Sequence, residues 1–230
     1  MIKYAQNNPP PPPPKTEQKP INIFPIWGDS NSYNINPLLR NNILNSQYFK
    51  DLYLLKSYNE IIDEICKKST HVEPWTPGSN GIPSTLFCCL YKFMLMKLTL
   101  KQVKLLLEFS GNPYVRCVGF LYIRYCCSPD YLWDWLSKYL LDDEELHPSA
   151  DPKVVTTIGD YVEALIKEMN YYQTRFPRIP TKTDRILKAK LLIMSEKRER
   201  KRINWENLHL FQKGIKIKAL SQQVLYFDYK

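Results

Sequence analysis

Three groups of residues in this chain have types and spacings that chemistry could use. His71 and Glu73 form an H-x-E, which in zinc deaminases supplies a ligand and a proton shuttle, but the P-C-x-x-C that completes such a site is absent downstream. Cys66 lies close to His71 in sequence, as a thiolate and its base would, yet no third group is specified to orient the base, and a small buried thiol is the commoner role. The acidic run Asp142, Asp143, Glu144, Glu145 could attract a cation, but its members are consecutive, whereas a calcium loop alternates its ligands. A solvated helix end or a counter-charge for arginines explains the run better. No Gly-rich phosphate loop, G-x-S-x-G elbow or H-E-x-x-H occurs. The pattern excludes an enzyme, a resident metal and a cofactor, and leaves recognition.

Recognition points to Asn112–Cys127, NPYVRCVGFLYIRYCC. Asn112 suits an N-cap and Pro113 the first helical position, where its missing N–H costs nothing. At 100° per residue Tyr114, Val115, Val118, Leu121, Tyr122, Tyr125 and Cys126 cover an apolar face, while Arg116, Phe120 and Arg124 form a separate stripe. The two guanidinium groups then stand roughly 12 Å apart. Arginine amid so much apolar surface must find carboxylates or carbonyls, because an unpaired buried charge costs several kcal/mol. Those partners lie in this fold or on another chain. Trp133 and Trp135 flank Asp134 in LWDWL and point about 200° apart on a helix, which suits either two core tryptophans, the simpler reading, or one in the core and one exposed as an anchor for a partner. Arg116, Tyr122, Arg124, Trp133 and Trp135 are therefore the expected partner-binding set.

The elements that must carry these residues are helical. Ser57 with Glu60, Thr99 with Gln102 and, more weakly, Thr157 with Asp160 read as capping boxes, and Ser128–Pro129 marks another start. The expected helices are 41–50, 57–68, 83–97, 99–110, 113–127, 129–141, 157–174 and 182–202. Alternating stretches are short and glycine numbers only seven, so no strand ladder is expected. The fold class is all-α: a compact bundle of about eight short helices over 36–180, with a Pro/Asn-rich disordered leader over 1–35 and a basic, partly helical tail over 181–230. Gly119, in mid-helix, is expected where two helices cross closely. The six prolines Pro9–Pro14 suit either an SH3 or WW ligand or a stiff spacer, and the small apolar cluster around Phe24 and Trp27 has the character of a docking element.

Charge is concentrated rather than spread. Of the net +9, residues 1–181 carry 19 Lys+Arg against 18 Asp+Glu, while residues 182–218 carry 12 against 4. Within the tail, KRERKR offers Lys197, Arg198, Arg200, Lys201 and Arg202 as a nuclear address or as phosphate contacts to RNA, against the alternative of a solvated helix end. The six cysteines are unspaced for a disulfide framework, which fits a reducing cytosol or nucleus. The longest apolar run, Leu86–Met96, is short and carries Lys92, so no membrane span is expected.

Several blocks, in order, resemble the pre-mRNA-splicing factor 38 family, and its B-type members in particular. They are NNILNSQYFK at Asn41–Lys50, THVEPW at Thr70–Trp75, STLFCCLYKF at Ser84–Phe93, YVRCVGFLYIRY at Tyr114–Tyr125, LWDWL at Leu132–Leu136, TIGDYV at Thr157–Val162 and FPRIP at Phe176–Pro180. LWDWL and FPRIP favour the B-type. The resemblance implies an all-helical, non-enzymatic scaffold of the spliceosome in the nucleus, monomeric within a large complex and bound to other spliceosomal proteins, with RNA contact through the basic tail as an alternative. Two departures stand out: TPGSNGIP where B-type relatives carry a longer Gly-rich insertion, and KRERKR where many carry a long Arg/Ser tail.

Overall fold

The computed structural model describes residues 22–79 and 81–199. Helix α1, Pro37–Asn45, begins before the expected Asn41 because the Asn36 side chain accepts from the Leu38 and Leu39 N–H groups and Pro37 fills the first turn. Ser46 is extended, ends α1, and caps α2, Gln47–Asp51, with its own side chain. The single helix expected over 41–50 is thus two helices meeting at a serine corner. Helices α3, Tyr58–Lys68, and α5, Leu100–Leu107, open on the capping boxes read from the sequence. Between them α4, Thr85–Met96, is capped by Ser84 and ends at Lys97 in the left-handed region.

Helix α6, Pro113–Cys126, lies at the centre. Asn112 accepts from the Tyr114 N–H at 2.8 Å, and every residue from Val115 to Cys126 is buried. Helices α3, α4 and α5 pack around it. So do α7, Leu132–Leu136, and α8, Ile158–Lys167. A helix buried on all sides has no solvated face on which to place charge. Gly119 lets α5 approach: a Cβ there would lie 2.9 Å from Leu106 Cβ and 3.2 Å from the Leu107 backbone nitrogen.

Three expectations change. The helix expected over 129–141 is α7 between two 3-10 turns, Pro129–Tyr131 and Ser137–Tyr139. The helix expected over 157–174 stops at Lys167 and is followed by a hairpin of Asn170–Tyr171 and Thr174–Arg175, turned at Tyr172 with φ 49°. A second ladder joins Glu145–Leu146 to Thr156–Thr157, so the fold is mostly helical rather than strictly all-α. The buried Tyr171 hydroxyl holds the hairpin inward, donating to the Val72 carbonyl at 2.7 Å. Alternation over two residues leaves too little pattern to read as a strand.

The leader boundary also moves. The Phe24 N–H donates to Leu98 and the Trp27 N–H to Cys126, both at 2.8 Å, and Phe24, Tyr33 and Ile35 are buried. Residues 22–35 therefore belong to the core, stitched on by backbone bonds that leave no sequence period. At the other end a helix over 181–199, α9, docks through buried Leu187 and Leu191. Residues 1–21 and 200–230, with Pro9–Pro14, Arg200, Lys201 and Arg202, lie outside the described residues.

Gly119→Ala tests the crossing. Alanine gains about 1 kcal/mol of helix propensity, but overpacking costs about 1–3 kcal/mol. A lower denaturant midpoint is expected, corresponding to a net loss of up to about 2 kcal/mol; an unchanged or raised midpoint would show that α5 has room to retreat.

Candidate functional site

The two α6 arginines are the first candidates, and both turn inward. Arg116 donates through Nε to the Leu107 carbonyl at 3.0 Å, near the end of α5, and its terminal nitrogens pair with Asp142 at 2.5 Å and with Glu144. The acidic run is thus the arginine's counter-charge. It is also built into the backbone, since the Gly159 N–H donates to the Asp142 carbonyl and the Ile158 N–H to that of Glu144. Burial alone would raise the Asp142 carboxyl, but the Arg116 hydrogen bond and charge outweigh it and hold the group below its ordinary 3.8.

Arg124 is only 2% exposed and meets no carboxylate. Its Nε donates to the Leu165 carbonyl at 2.8 Å, one terminal nitrogen donates to Pro177 at 3.0 Å, and the guanidinium lies 4.6 Å from the Phe176 ring centroid. Burial pulls its pKa down to about 10, still charged at neutral pH. Leu165 sits in the last turn of α8, where carbonyls lack helical partners and the helix dipole is negative. Arg124 therefore closes α8 and pins FPRIP to it. Tyr122 is buried against Phe24, ring centroids 5.6 Å apart. Expected as partner contacts, Arg116, Tyr122 and Arg124 instead hold the chain together, because α6 presents no surface.

The polar pairs that suggested chemistry are structural as well. The His71 ring accepts the Glu73 N–H at Nδ1, and Glu73 accepts the Ser149 hydroxyl at 2.5 Å, tying two loops together. Burial lowers the His71 pKa against the opposing Glu73 charge. Cys66 is exposed rather than the small buried thiol expected, and partial burial and then Asp63 push its thiol up, away from a reactive thiolate. Among the described residues there is no metal-binding cluster and no helix long and apolar enough to cross a membrane.

The surface beside α7 is different. The extended segment 24–27, the start of α5 and the α6–α7 junction enclose a groove of about 330 Å³. Its walls include Ile26, Trp27, Leu100, Tyr131 and Trp135, with Trp27 37% and Tyr131 60% exposed. Trp135 is half-buried: Phe24 supports one side at 5.4 Å, and Lys104 stands 6.0 Å from its ring centroid. A second concavity of about 340 Å³, lined by Lys104, Leu107, Asp134 and Lys138, also includes Trp135 in its lining. Trp133 is half-buried with Lys190 of α9 over it at 5.1 Å. Tyr131 and Trp135 are four residues apart at the helical repeat, a signal the sequence carried; the role of Trp27 and Lys104 depended on packing.

The tail cations separate. Lys197 is exposed, but Arg198 is engaged by the Asp160 carboxylate, the Leu140 carbonyl and Glu163. The expected phosphate contact at Arg198 is instead an internal clasp of α9 onto α8, which was unreadable because the acids lie far away in sequence.

Residues 24–188 match the profile described as PRP38 family. The chain belongs to this family. It is 43% identical over 178 residues to the human protein named pre-mRNA-splicing factor 38B, covering 69% of this chain and 33% of that one. It is 50% identical over 143 residues to pre-mRNA splicing factor SR-like 1 of Arabidopsis thaliana, covering 62% and 36%. The chain therefore spans about a third of the length of these curated relatives. A chain in the crystal structure of the Snu23-Prp38-MFAP1(217-258) complex of Chaetomium thermophilum shares the fold, with TM-score 0.61 and 20% identity over 72% of this chain and 85% of that one. The family match starts at Phe24, the first buried residue of the described chain, and ends within α9.

Arg124→Ala would leave the buried Leu165 carbonyl and the part-buried Pro177 carbonyl without a donor and open a cavity, so a loss of about 3 kcal/mol or more is expected from denaturant melts. Asp142 carries a pH signature. Because its folded pKa is depressed, its contribution is complete above the unfolded value, about 3.9, and disappears as pH falls through the folded one. Stability measured from pH 6 to 2 should fall less steeply below pH 4 in Asp142→Asn than in the natural chain.

Proposed function

We propose that this protein is a non-enzymatic scaffold of the spliceosome, acting in the nucleus during pre-catalytic assembly or activation. The family match over residues 24–188 carries the reading, together with the splicing-factor names of its relatives. The structural neighbour belongs to a complex of Snu23, Prp38 and a segment of MFAP1, which supports protein partners for this chain also. The face beside α7 is the surface suited to them. Trp135 lines both an apolar groove and an ionic concavity, the exposed Tyr131 lines the groove with it, and Trp133 belongs to the same short helix. Tryptophan and tyrosine at the centre of a contact dominate binding energy because each buries a large rigid area. In this reading the protein works as a monomer inside a large particle, its buried arginines keeping the docking face rigid.

The tagged chain recovered from nuclear extract should bring down splicing proteins and small nuclear RNAs. Tyr131→Ala, at an exposed position, should reduce that recovery tenfold or more without moving the denaturation midpoint. Recovery of no splicing component by the natural protein would refute the scaffold reading; full recovery by the variant would move the contact off the α7 face.

A further inference from the structure

Where α4 passes the 3-10 turn Leu52–Leu54, a lysine is buried without an acid. Lys92 is only 8% exposed, and its ammonium lies 4.8 Å from the centroid of the Tyr53 ring. We infer that Lys92 and the exposed apolar side chains around it form a second docking site, for a partner segment that brings one carboxylate flanked by aliphatic or aromatic residues. The site is separate from the α7 face and does not depend on it.

The charge argument comes first. Among the described residues Lys92 pairs with no carboxylate, and the charge that faces it is another cation, Lys56. Burial and then Lys56 both lower its pKa, so each opposes the charged form. The acids nearest to Tyr53 and Lys56 in sequence are committed elsewhere. Asp51 accepts from the Gln47 side chain at 2.8 Å. Glu60 accepts from the Lys56 and Ser57 N–H groups and from the Ser57 hydroxyl, closing the cap of α3. A desolvated cation that meets only a ring face and a like charge is costly, and a carboxylate from outside removes the cost. Arg116 and Arg124 obtain their acceptors within the fold; Lys92 has none there of comparable strength.

The apolar argument is independent. Leu54, in the same turn as Tyr53, is 79% exposed, the most exposed large hydrophobic side chain of the described residues. Tyr53 is exposed beside it, and Leu95, one turn along α4 from Lys92 and on the same face, is exposed as well. The turn that presents Tyr53 and Leu54 is fixed from below, since Leu52 is buried and the Tyr53 ring packs edge-on against buried Phe49 at 5.5 Å. A rigid apolar rim around a half-desolvated cation is the layout of a binding hot spot: the rim excludes water and so strengthens the ion pair that forms inside it. Charge complementarity selects the acid, and the rim selects its apolar neighbours.

The test compares the natural chain with Lys92→Met, a change that keeps the bulk of the stem and removes the charge. The variant should be at least as stable in denaturant melts, because an uncompensated cation is lost. Both chains would be immobilised and exposed to a displayed library of random peptides. Sequences enriched on the natural chain and not on Lys92→Met should carry Asp or Glu beside Leu, Ile or Phe. Resynthesised with Asn or Gln in place of the acid, such a peptide should bind the natural chain about tenfold or more weakly. Leu54→Ala should weaken the acidic and amide forms alike. Identical selections on the two chains, no acidic peptide enriched on the natural chain, or affinity that survives the acid-to-amide change would overturn the inference, the last without recourse to any variant of the protein. A natural chain that dimerises while Leu54→Ala stays monomeric would assign the patch to a second copy and overturn it too. None of these outcomes turns on recovery of splicing components from extract.

Discussion

The need to neutralise two arginines inside one buried helix organises the rest of this structure. Helix α6 is enclosed by neighbours, so Arg116 and Arg124 have little access to water, and each gathers acceptors from distant parts of the chain. Arg116 collects the end of α5 and the 142–144 turn; Arg124 collects the end of α8 and the FPRIP segment. The two therefore differ in kind. Arg116 is an ion pair whose acids remain partly in solvent, whereas Arg124 is a cation held by carbonyls and an aromatic face, an arrangement that depends on its guanidinium fork.

Commitment of the arginines to the interior leaves the exposed aromatic surface elsewhere. Once α6 is closed by α5 and α8, the aromatic residues left partly exposed gather where α6 hands over to α7 and the N-terminal segment crosses. The same packing explains why α7 is so short. With 3-10 turns on both sides, the 129–139 region bends around the core and presents Tyr131 and Trp135 outward while burying Leu132 and Leu136. Arg198 performs a related service at the far edge, where α9 is clasped to the carboxylates of α8. A tail that reads as basic in sequence is in part internal counter-charge.

How much of this was legible depends on the range of each interaction. Caps and capping boxes act within four residues, so Ser57, Thr99 and Asn112 announced their helices, and Gly119 announced a close crossing. The ordered blocks from Asn41 to Pro180 announced the family that the match over 24–188 establishes. The two ladders did not appear because their paired segments are two residues long, and the packed 22–35 segment did not because backbone hydrogen bonds carry no side-chain period. The early stop of α8 was hidden for another reason: the Leu165 carbonyl, which the next helical N–H would have used, is taken by Arg124 from another helix.

By itself the sequence determined a mostly helical class, the central place of Asn112–Cys127 and the family, since residue type and local spacing encode these directly. Only the tertiary structure decided where the arginines of that helix point. A buried guanidinium specifies that it must have acceptors but not which ones, and the choice among Asp142, Glu144, Leu107, Leu165 and Pro177 was made by packing across sequence separations of 9 to 53 residues.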